Sequence, residues 1–428
     1  MIQNDPTLTE REKKFLLYEL LKKSDPYKIG DNSAKKQKCS NCQNFHQATR
    51  YCEFCIRKYL ENNFKNWTSG NNEIDKLIQE CQKKTVSPDA VIEWISYDQF
   101  ENVKYLKDGG YATIFTAIFK CGSYNKWNSK KQKLQRLKEH KVILKRLNYS
   151  NSNNLKWFQE VTFNFTIDSV GATLVRCWGL TKDPITNDYM LVLDHYDSDL
   201  RNFLERYHRS LSLIQKYNIV FDISCSLDKL HQKDVVHRDL HSGNILYNED
   251  VFVWHISDLG MSGPVDKPLN NIYGNMPYMA PEFLENGTYT IKSDIYSLGI
   301  LMWEIETGES PFWEQEHDLD LAFAITKGYR PKLHKEIPKE YSDLMKQCWD
   351  TDPNNRPDTL TIQKKIRSLT ISLYNEMDKQ RGYNEMDKQD YNEMDKQRGL
   401  ESRIMNFFRS IKKRENKPRN ATKSQIYF

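Results

Sequence analysis

From Phe100 to about Leu369 the chain carries short apolar runs first and long helical patterns later. Tyr111 to Phe119, Lys141 to Leu144, Leu174 to Trp178 and Tyr189 to Leu193 read as strands. Ile214 to Lys233 and Ser293 to Thr307 have helical length and spacing. Strands before helices predict an α+β unit with a sheet-rich front and a helical back.

The flanks differ in texture. Thr9-Glu10-Arg11-Glu12 reads as a capping box leading into Phe15, Leu16, Tyr18, Leu20 and Leu21, which predicts a short helix. Residues 24–38 are polar. From Asn63 a loop capped by Asn71 or Asn72 runs into a helix over about 73–83, read as a connector. After Leu373 the segment YNEMDKQ recurs three times, from Tyr374, Tyr383 and Tyr391. That period is far below the roughly 20–50 residues of solenoid repeats, so it reads as a slipped duplication. The last stretch is basic, with Ile404, Phe407, Phe408 and Ile411 along one possible helical face. It fits an amphipathic helix at a membrane surface or calmodulin, or a solvated disordered end, and the second is the expectation.

Composition narrows this picture only slightly. The 428 residues suggest two or three folded units, and 38% hydrophobic residues suffice for a sizeable core. A net charge of +5 is too small to mark a nucleic-acid binder. Mean hydropathy is −0.77, which indicates polar segments diluting a folded part. No apolar run is long enough to span a membrane, and the opening MIQNDPTLTEREKK has no apolar signal core, so a reducing, cytoplasmic setting is expected.

Four of the nine cysteines fall as Cys39-x2-Cys42-x9-Cys52-x2-Cys55. Two tight pairs of soft thiolates can close a tetrahedral site with no position left for water, so structural Zn2+ is the expected ion. His46 lies in the loop and is expected to be a surface histidine.

The chemistry concentrates in His237-Arg238-Asp239-Leu240-His241-Ser242-Gly243-Asn244, followed fourteen residues later by Asp258-Leu259-Gly260 and then by Ala280-Pro281-Glu282. A carboxylate, an amide five residues on and a second carboxylate can orient a hydroxyl and hold a divalent cation. In order and spacing these motifs resemble the eukaryotic protein kinases over about residues 100–369, and HRDLHSGN with YGNMPYMAPE resembles the tyrosine-kinase-like group. The resemblance implies a bilobal kinase fold, β-rich in front and helical behind, preceded by a small zinc module. It also implies ATP and Mg2+ as cofactors and protein substrates as partners.

By that resemblance Asp239 is the catalytic-loop aspartate, Asn244 and Asp258 are magnesium ligands, and Lys145 of Val142-Ile143-Leu144-Lys145 is the phosphate-contacting lysine. Its partner is Glu160, the only Glu between Lys145 and Asp188. The glycine-rich loop falls on Lys107, Gly109, Ala112 and Ile114, with Gly110 beside, so one family glycine is kept. Lys107 fits a weakened nucleotide grip, an added positive charge near the phosphates, or a tolerated hairpin residue. Leu193, Asp194 and Tyr196 match the gatekeeper and hinge, and Ile143 fills a slot that is usually alanine. His241 replaces the lysine common in serine/threonine kinases after the catalytic aspartate, while the resemblance to the tyrosine-kinase-like group, whose members are mostly serine/threonine-directed, implies serine/threonine acceptors with dual specificity next. Ser262 and Tyr273 are the regulatory candidates in the activation segment. Glu282 with Arg356, and Asp294, match supporting positions.

The expected layout is an N-terminal helix and linker at 1–38, a zinc module at 39–60, a connector at 61–99, a kinase domain at 100–369 and a repeat-bearing tail at 370–428. The cysteine module, together with NFKNWTSGN and VIEWISYDQFENV, looks like a large kinase family of arbuscular mycorrhizal fungi. Against an active kinase in intracellular signalling stand two rivals: a pseudokinase scaffold, motivated by Lys107, Ala112, Ile143 and His241, and a zinc-module adaptor.

Overall fold

The computed structural model describes residues 25–26, 29, 35–109, 112–151, 156–167, 174–249, 253–264 and 275–380. The expected helix near residues 10–21, the second and third YNEMDKQ copies, and the basic tail lie outside them.

Strands β1 (Gln37–Lys38) and β2 (Phe45–His46) pair antiparallel around the first cysteine pair, and helix α1 (Glu53–Asn63) starts at the second. Helix α2 (Asn72–Lys84) follows, capped by the Asn71 side chain, which accepts from the amides of Glu73 and Ile74. The small lobe is then built from β3 (Glu93–Trp94), β4 (Phe100–Asp108), β5 (Ala112–Phe119), a hairpin of β6 (Tyr124–Asn128) and β7 (Lys133–Arg136), β8 (His140–Leu147), α3 (Lys156–Thr166), β9 (Cys177–Lys182) and β10 (Tyr189–Asp194). Its main sheet has the order β3-β9-β10-β8-β5-β4. Only β3 runs parallel to its neighbour, pairing Glu93 with Gly179. Gly179 has φ +151°, and a Cβ there would lie 1.9 Å from the Glu93 carbonyl oxygen, so this strand addition requires glycine.

The expected strand at Leu174 to Trp178 is therefore shifted. Leu174 makes only an isolated bridge to Ile256, and β9 begins at Cys177, because pairing on both edges decides the register over the local apolar run. The strand read at Lys141 to Leu144 extends to His140–Leu147, while the helix read at 73–83 is observed as α2.

Behind the sheet, β11 (Ser198–Asp199), β13 (Ile245–Asn248) and β14 (Val253–Ile256) form a small sheet, and β12 (Val235–Val236) pairs with β15 (Gly263–Pro264). The helices are α4 (Leu200–Tyr207), α5 (Leu213–His231), α6 (Pro281–Asn286), α7 (Ile291–Thr307), α8 (Leu319–Thr326), α9 (Lys339–Cys348) and α10 (Thr359–Gln380). Reciprocal capping boxes start two of them, Ser212 with Gln215 and Thr290 with Ser293. Helix α7 is buried on nearly all faces in the centre of the large-lobe core, with Tyr217, Leu227, Tyr341 and Ile362 in the same core.

Arg356 has a side chain 0% exposed. Its guanidinium donates to Glu282 Oε1 and Oε2 at 2.8 and 2.7 Å, and to the carbonyls of Lys292 and Asp350 at 2.8 and 2.9 Å. This fork ties the segment ahead of α7 to the turn before α10. Truncation would strand a half-enclosed carboxylate, so Arg356→Ala should cost about 3–5 kcal/mol. Urea unfolding measures this, and an unchanged midpoint would show the pair to be dispensable.

Candidate active site and metal centre

Lys145 stands mid-strand in β8, opposite Ile114 on one side and Leu191 on the other. Its Nζ lies 2.7 Å from Glu160 Oε1 on α3 and 2.6 Å from Asp258 Oδ1 after β14. Burial alone would push the ammonium down, but Asp258 and Glu160 outweigh it and raise the Lys145 pKa. For Asp258 burial acts upward, and the Lys145 charge overrides it to bring the carboxyl down to about 2. The Asp258 carboxylate side chain is still 44% exposed. Its Oδ1 takes both Lys145 and the Gly260 amide, the latter at 3.0 Å, which leaves Oδ2 outside these bonds and available to a cation. A Cβ on Gly260 would come within 3.0 Å of both Asp258 Oδ1 and Glu160 Oε2, so glycine lets this turn close on the ion pair.

The segment His237 to Asn244 is fixed from beneath by Asp294 of α7. Its Oδ2 accepts from the His237 amide at 2.9 Å and contacts His231 Nε2 at 2.9 Å, and its Oδ1 accepts from the Arg238 amide at 3.1 Å. Arg238 and Asp258 both have positive φ, 71° and 61°, with the Arg238 amide held by Asp294 and the Asp258 carboxylate by the Gly260 amide. Asn244 Nδ2 donates to the Asp239 carbonyl at 2.9 Å and to Asp239 Oδ2 at 3.3 Å. The amide is thereby turned so that its Oδ1 is presented away from Asp239, the polarity a hard cation needs. His241 Nε2 stands 3.7 Å from Asp239 Oδ2, and its Nδ1 accepts from the Gly243 amide at 3.1 Å. Asp239 and His241 open onto a cleft completed by Asn275, Met276, Pro277 and His317.

Lys107 faces Ile114 across the β4–β5 hairpin, and the Gly109 amide donates to the Ala112 carbonyl at 2.7 Å. Gly110 lies outside the described residues. Leu193 lines an inner cavity with Lys145, Glu160, Leu174 and Asp258. The Asp194 amide donates to the Arg176 carbonyl at 3.0 Å, and its carboxylate accepts from Trp178 Nε1 at 2.9 Å. The Tyr196 ring packs 4.9 Å from His255. Ser262 is buried, its hydroxyl donating to the His237 carbonyl at 3.3 Å, and Tyr273 lies outside the described residues.

A second centre sits ahead of α2. The sulfurs of Cys39, Cys42, Cys52 and Cys55 lie within 4.8 Å of one another, with Cys39 to Cys55 at 3.7 Å and Cys42 to Cys52 at 3.6 Å. A tetrahedron with Zn–S bonds of about 2.3 Å has edges of about 3.8 Å, so the set fits that ion. His46 instead bonds the Ala48 carbonyl at 3.1 Å. Burial works upward on Cys39, yet the backbone amides of Cys42 and Asn41 bring its thiol down to about 7. Cys55 is pushed up to about 11 by burial.

Sequence patterns missed the small lobe's outer layer. The β6–β7 hairpin covers the cysteine fold through Trp127 and Leu134, and Asn41 Nδ2 donates to Gln132 Oε1 at 2.7 Å. Arg136 binds Glu93 of β3 and lies 3.9 Å over the Tyr124 ring. The clustered Tyr124, Trp127 and Leu134 in an otherwise polar segment were the available signal.

A family profile described as protein tyrosine and serine/threonine kinase matches residues 100–366. A probable LIM domain-containing serine/threonine-protein kinase of Dictyostelium discoideum is 32% identical over 53% of this chain and 35% of its own length. A serine/threonine/tyrosine-protein kinase of Arabidopsis thaliana is 34% identical over 42% of this chain and 46% of its own. The megakaryocyte-associated tyrosine-protein kinase of Mus musculus is 33% identical over 46% of this chain and 40% of its own. The matched regions thus span less than half of each of these relatives.

Because four thiols must lose protons to bind a metal, acidification opposes binding. Zinc affinity of the full chain, measured by chelator competition, should weaken by at least about tenfold per unit as pH falls from about 8 to 6, and a pH-independent affinity would contradict a thiolate site.

Proposed function

The chain belongs to the protein tyrosine and serine/threonine kinase family, and from that premise we propose that it transfers the γ-phosphate of ATP to serine and threonine hydroxyls of proteins, with tyrosine as a secondary acceptor. The observation that carries the reading is the Lys145 ammonium bridging Glu160 and Asp258, together with the Asn244–Asp239 pair. Relatives described as serine/threonine-protein kinases support the acceptor class. The open cleft beside Asp239 is consistent with a side-chain hydroxyl entering there.

In this reading Lys145 holds the α- and β-phosphates, and Glu160 keeps the ammonium aimed at them. Asp258 and Asn244 would hold Mg2+, which when bound neutralises charge on the phosphate oxygens. Asp239 accepts the proton of the acceptor hydroxyl and orients its oxygen in line with the γ-phosphorus. Asn244 fixes Asp239 Oδ2 for that task, and His241 offers an imidazole hydrogen bond beside it. Gly109, Ala112 and Ile114, with Lys107 and Gly110, would cover the phosphates. Leu193, Asp194 and Tyr196 would meet the adenine. The four cysteines would hold a structural Zn2+ that keeps β1, β2 and α1 together.

Among the described residues no helix is long and apolar enough to cross a membrane. Membership of the expanded kinase family of arbuscular mycorrhizal fungi is proposed on the segment patterns alone.

Asp239→Asn should retain the fold and lose about 10²–10⁴-fold in phosphate transfer, the usual weight of a general base. A radiolabel assay with Mg2+ and ATP, followed by phosphosite mapping, checks both rate and acceptor residue. Equal turnover in the variant would exclude the assigned role, and labelled tyrosine alone would overturn the acceptor class.

A further inference from the structure

The family match begins at residue 100, yet α2, well ahead of it, is packed into the small-lobe core. Ile74, Leu77, Ile78 and Cys81 recur along it at helical spacing and form one stripe. Ile74 and Ile78 are both 0% exposed, in one cluster with Val161 and Phe165 of α3 and Leu147 of β8. The Cys81 sulfur lies 3.8 Å from the Phe165 carbonyl oxygen. Tyr189, in the same cluster, stacks its ring on Trp157 of α3 at 4.9 Å. At the end of α2, Gln82 Nε2 donates to the Ile92 carbonyl at 2.7 Å, and Arg57 of α1 donates to the Thr85 carbonyl at 2.9 Å.

Glu160 directly precedes Val161, so the packing of Val161 sets how far the carboxylate reaches toward β8. Helix α3 is bounded by residues 152–155 and 168–173, which lie outside the described set, and α2 and β9 are the principal described elements against it. A buried carboxylate 2.7 Å from its ammonium tolerates little displacement, since retreat leaves both charges desolvated.

We propose that α2 is a positioning element for phosphoryl transfer, in which Ile74 and Ile78 act through Val161 and Phe165 to keep Glu160 on Lys145. This rests on the kinase reading above. The active arrangement is then supplied by a helix of this same chain outside the family-matched region, and the Arg57 contact makes α2 the link between the cysteine fold and the catalytic cleft.

The test uses the full chain as wild type, Ile78→Ala, Ile78→Val and Ile362→Ala, the last opening a cavity in the large-lobe core outside the cluster that holds Ile74, Ile78, Val161 and Phe165. Ile78→Ala should lower kcat at least about tenfold with KM for Mg·ATP within about threefold, and Ile78→Val should recover most of that loss. Amide exchange over 156–166 should accelerate in Ile78→Ala and not in Ile362→Ala. If Ile78→Ala does not fold, Ile78→Val decides, with a fall in kcat of about threefold expected. A kcat within about twofold of wild type for the folded Ile78 variants, or an equal loss in Ile362→Ala, overturns the proposal. If the wild type itself transfers no phosphate, the kinase reading fails, and the exchange data still decide whether α2 holds α3.

Discussion

One ammonium between two carboxylates organises the small lobe and its junction with the large one. Lys145 comes from the centre of a strand, Glu160 from a helix and Asp258 from a turn after a distant hairpin, and each must arrive within 2.7 Å. Removing such charges from water is expensive, and only close mutual pairing offsets the cost. The trio is also unbalanced, with two carboxylates sharing one cation. That excess, with Asp258 still facing solvent, suits a cleft that receives a divalent cation along with a polyphosphate.

The same trio explains several backbone constraints. Gly260 has no Cβ because Asp258 and Glu160 occupy the space one would need. Asp258 and Arg238 hold left-handed conformations that Asp294 and the Gly260 amide help to lock. At the opposite edge of the sheet, Gly179 admits β3 at a distance no side chain would allow. The ion pair thus sits in a sheet extended and backed by chain from outside the usual catalytic unit.

Much of the catalytic centre was legible because it depends on residue type at fixed spacing. Asp239, Asn244, Asp258 and the lone Glu160 could be read from motif order; the structure pairs Glu160 and Asp258 with Lys145, and Asn244 with Asp239. The Glu282–Arg356 fork and the four clustered cysteines followed from similar patterns. The outer layer was not legible. Helix α2 was readable as an amphipathic helix, but nothing local specifies that its stripe meets Val161 and Phe165 across some eighty intervening residues. Strand β3 is too short to show a period, and the β6–β7 hairpin reads as a polar loop until its aromatic residues are seen on the cysteine fold. Ser262 shows the converse: a hydroxyl in the right segment is buried against the His237 carbonyl, a placement no spacing rule reveals.

The account stands on the Lys145–Glu160 contact being required for chemistry rather than for folding alone. The most direct measurement is single-turnover phosphate transfer from Mg·ATP by Glu160→Gln, which keeps the side-chain volume and removes the charge. A folded variant whose rate falls by at least about tenfold is predicted, and a folded variant with the wild-type rate would contradict the central role of this ion pair.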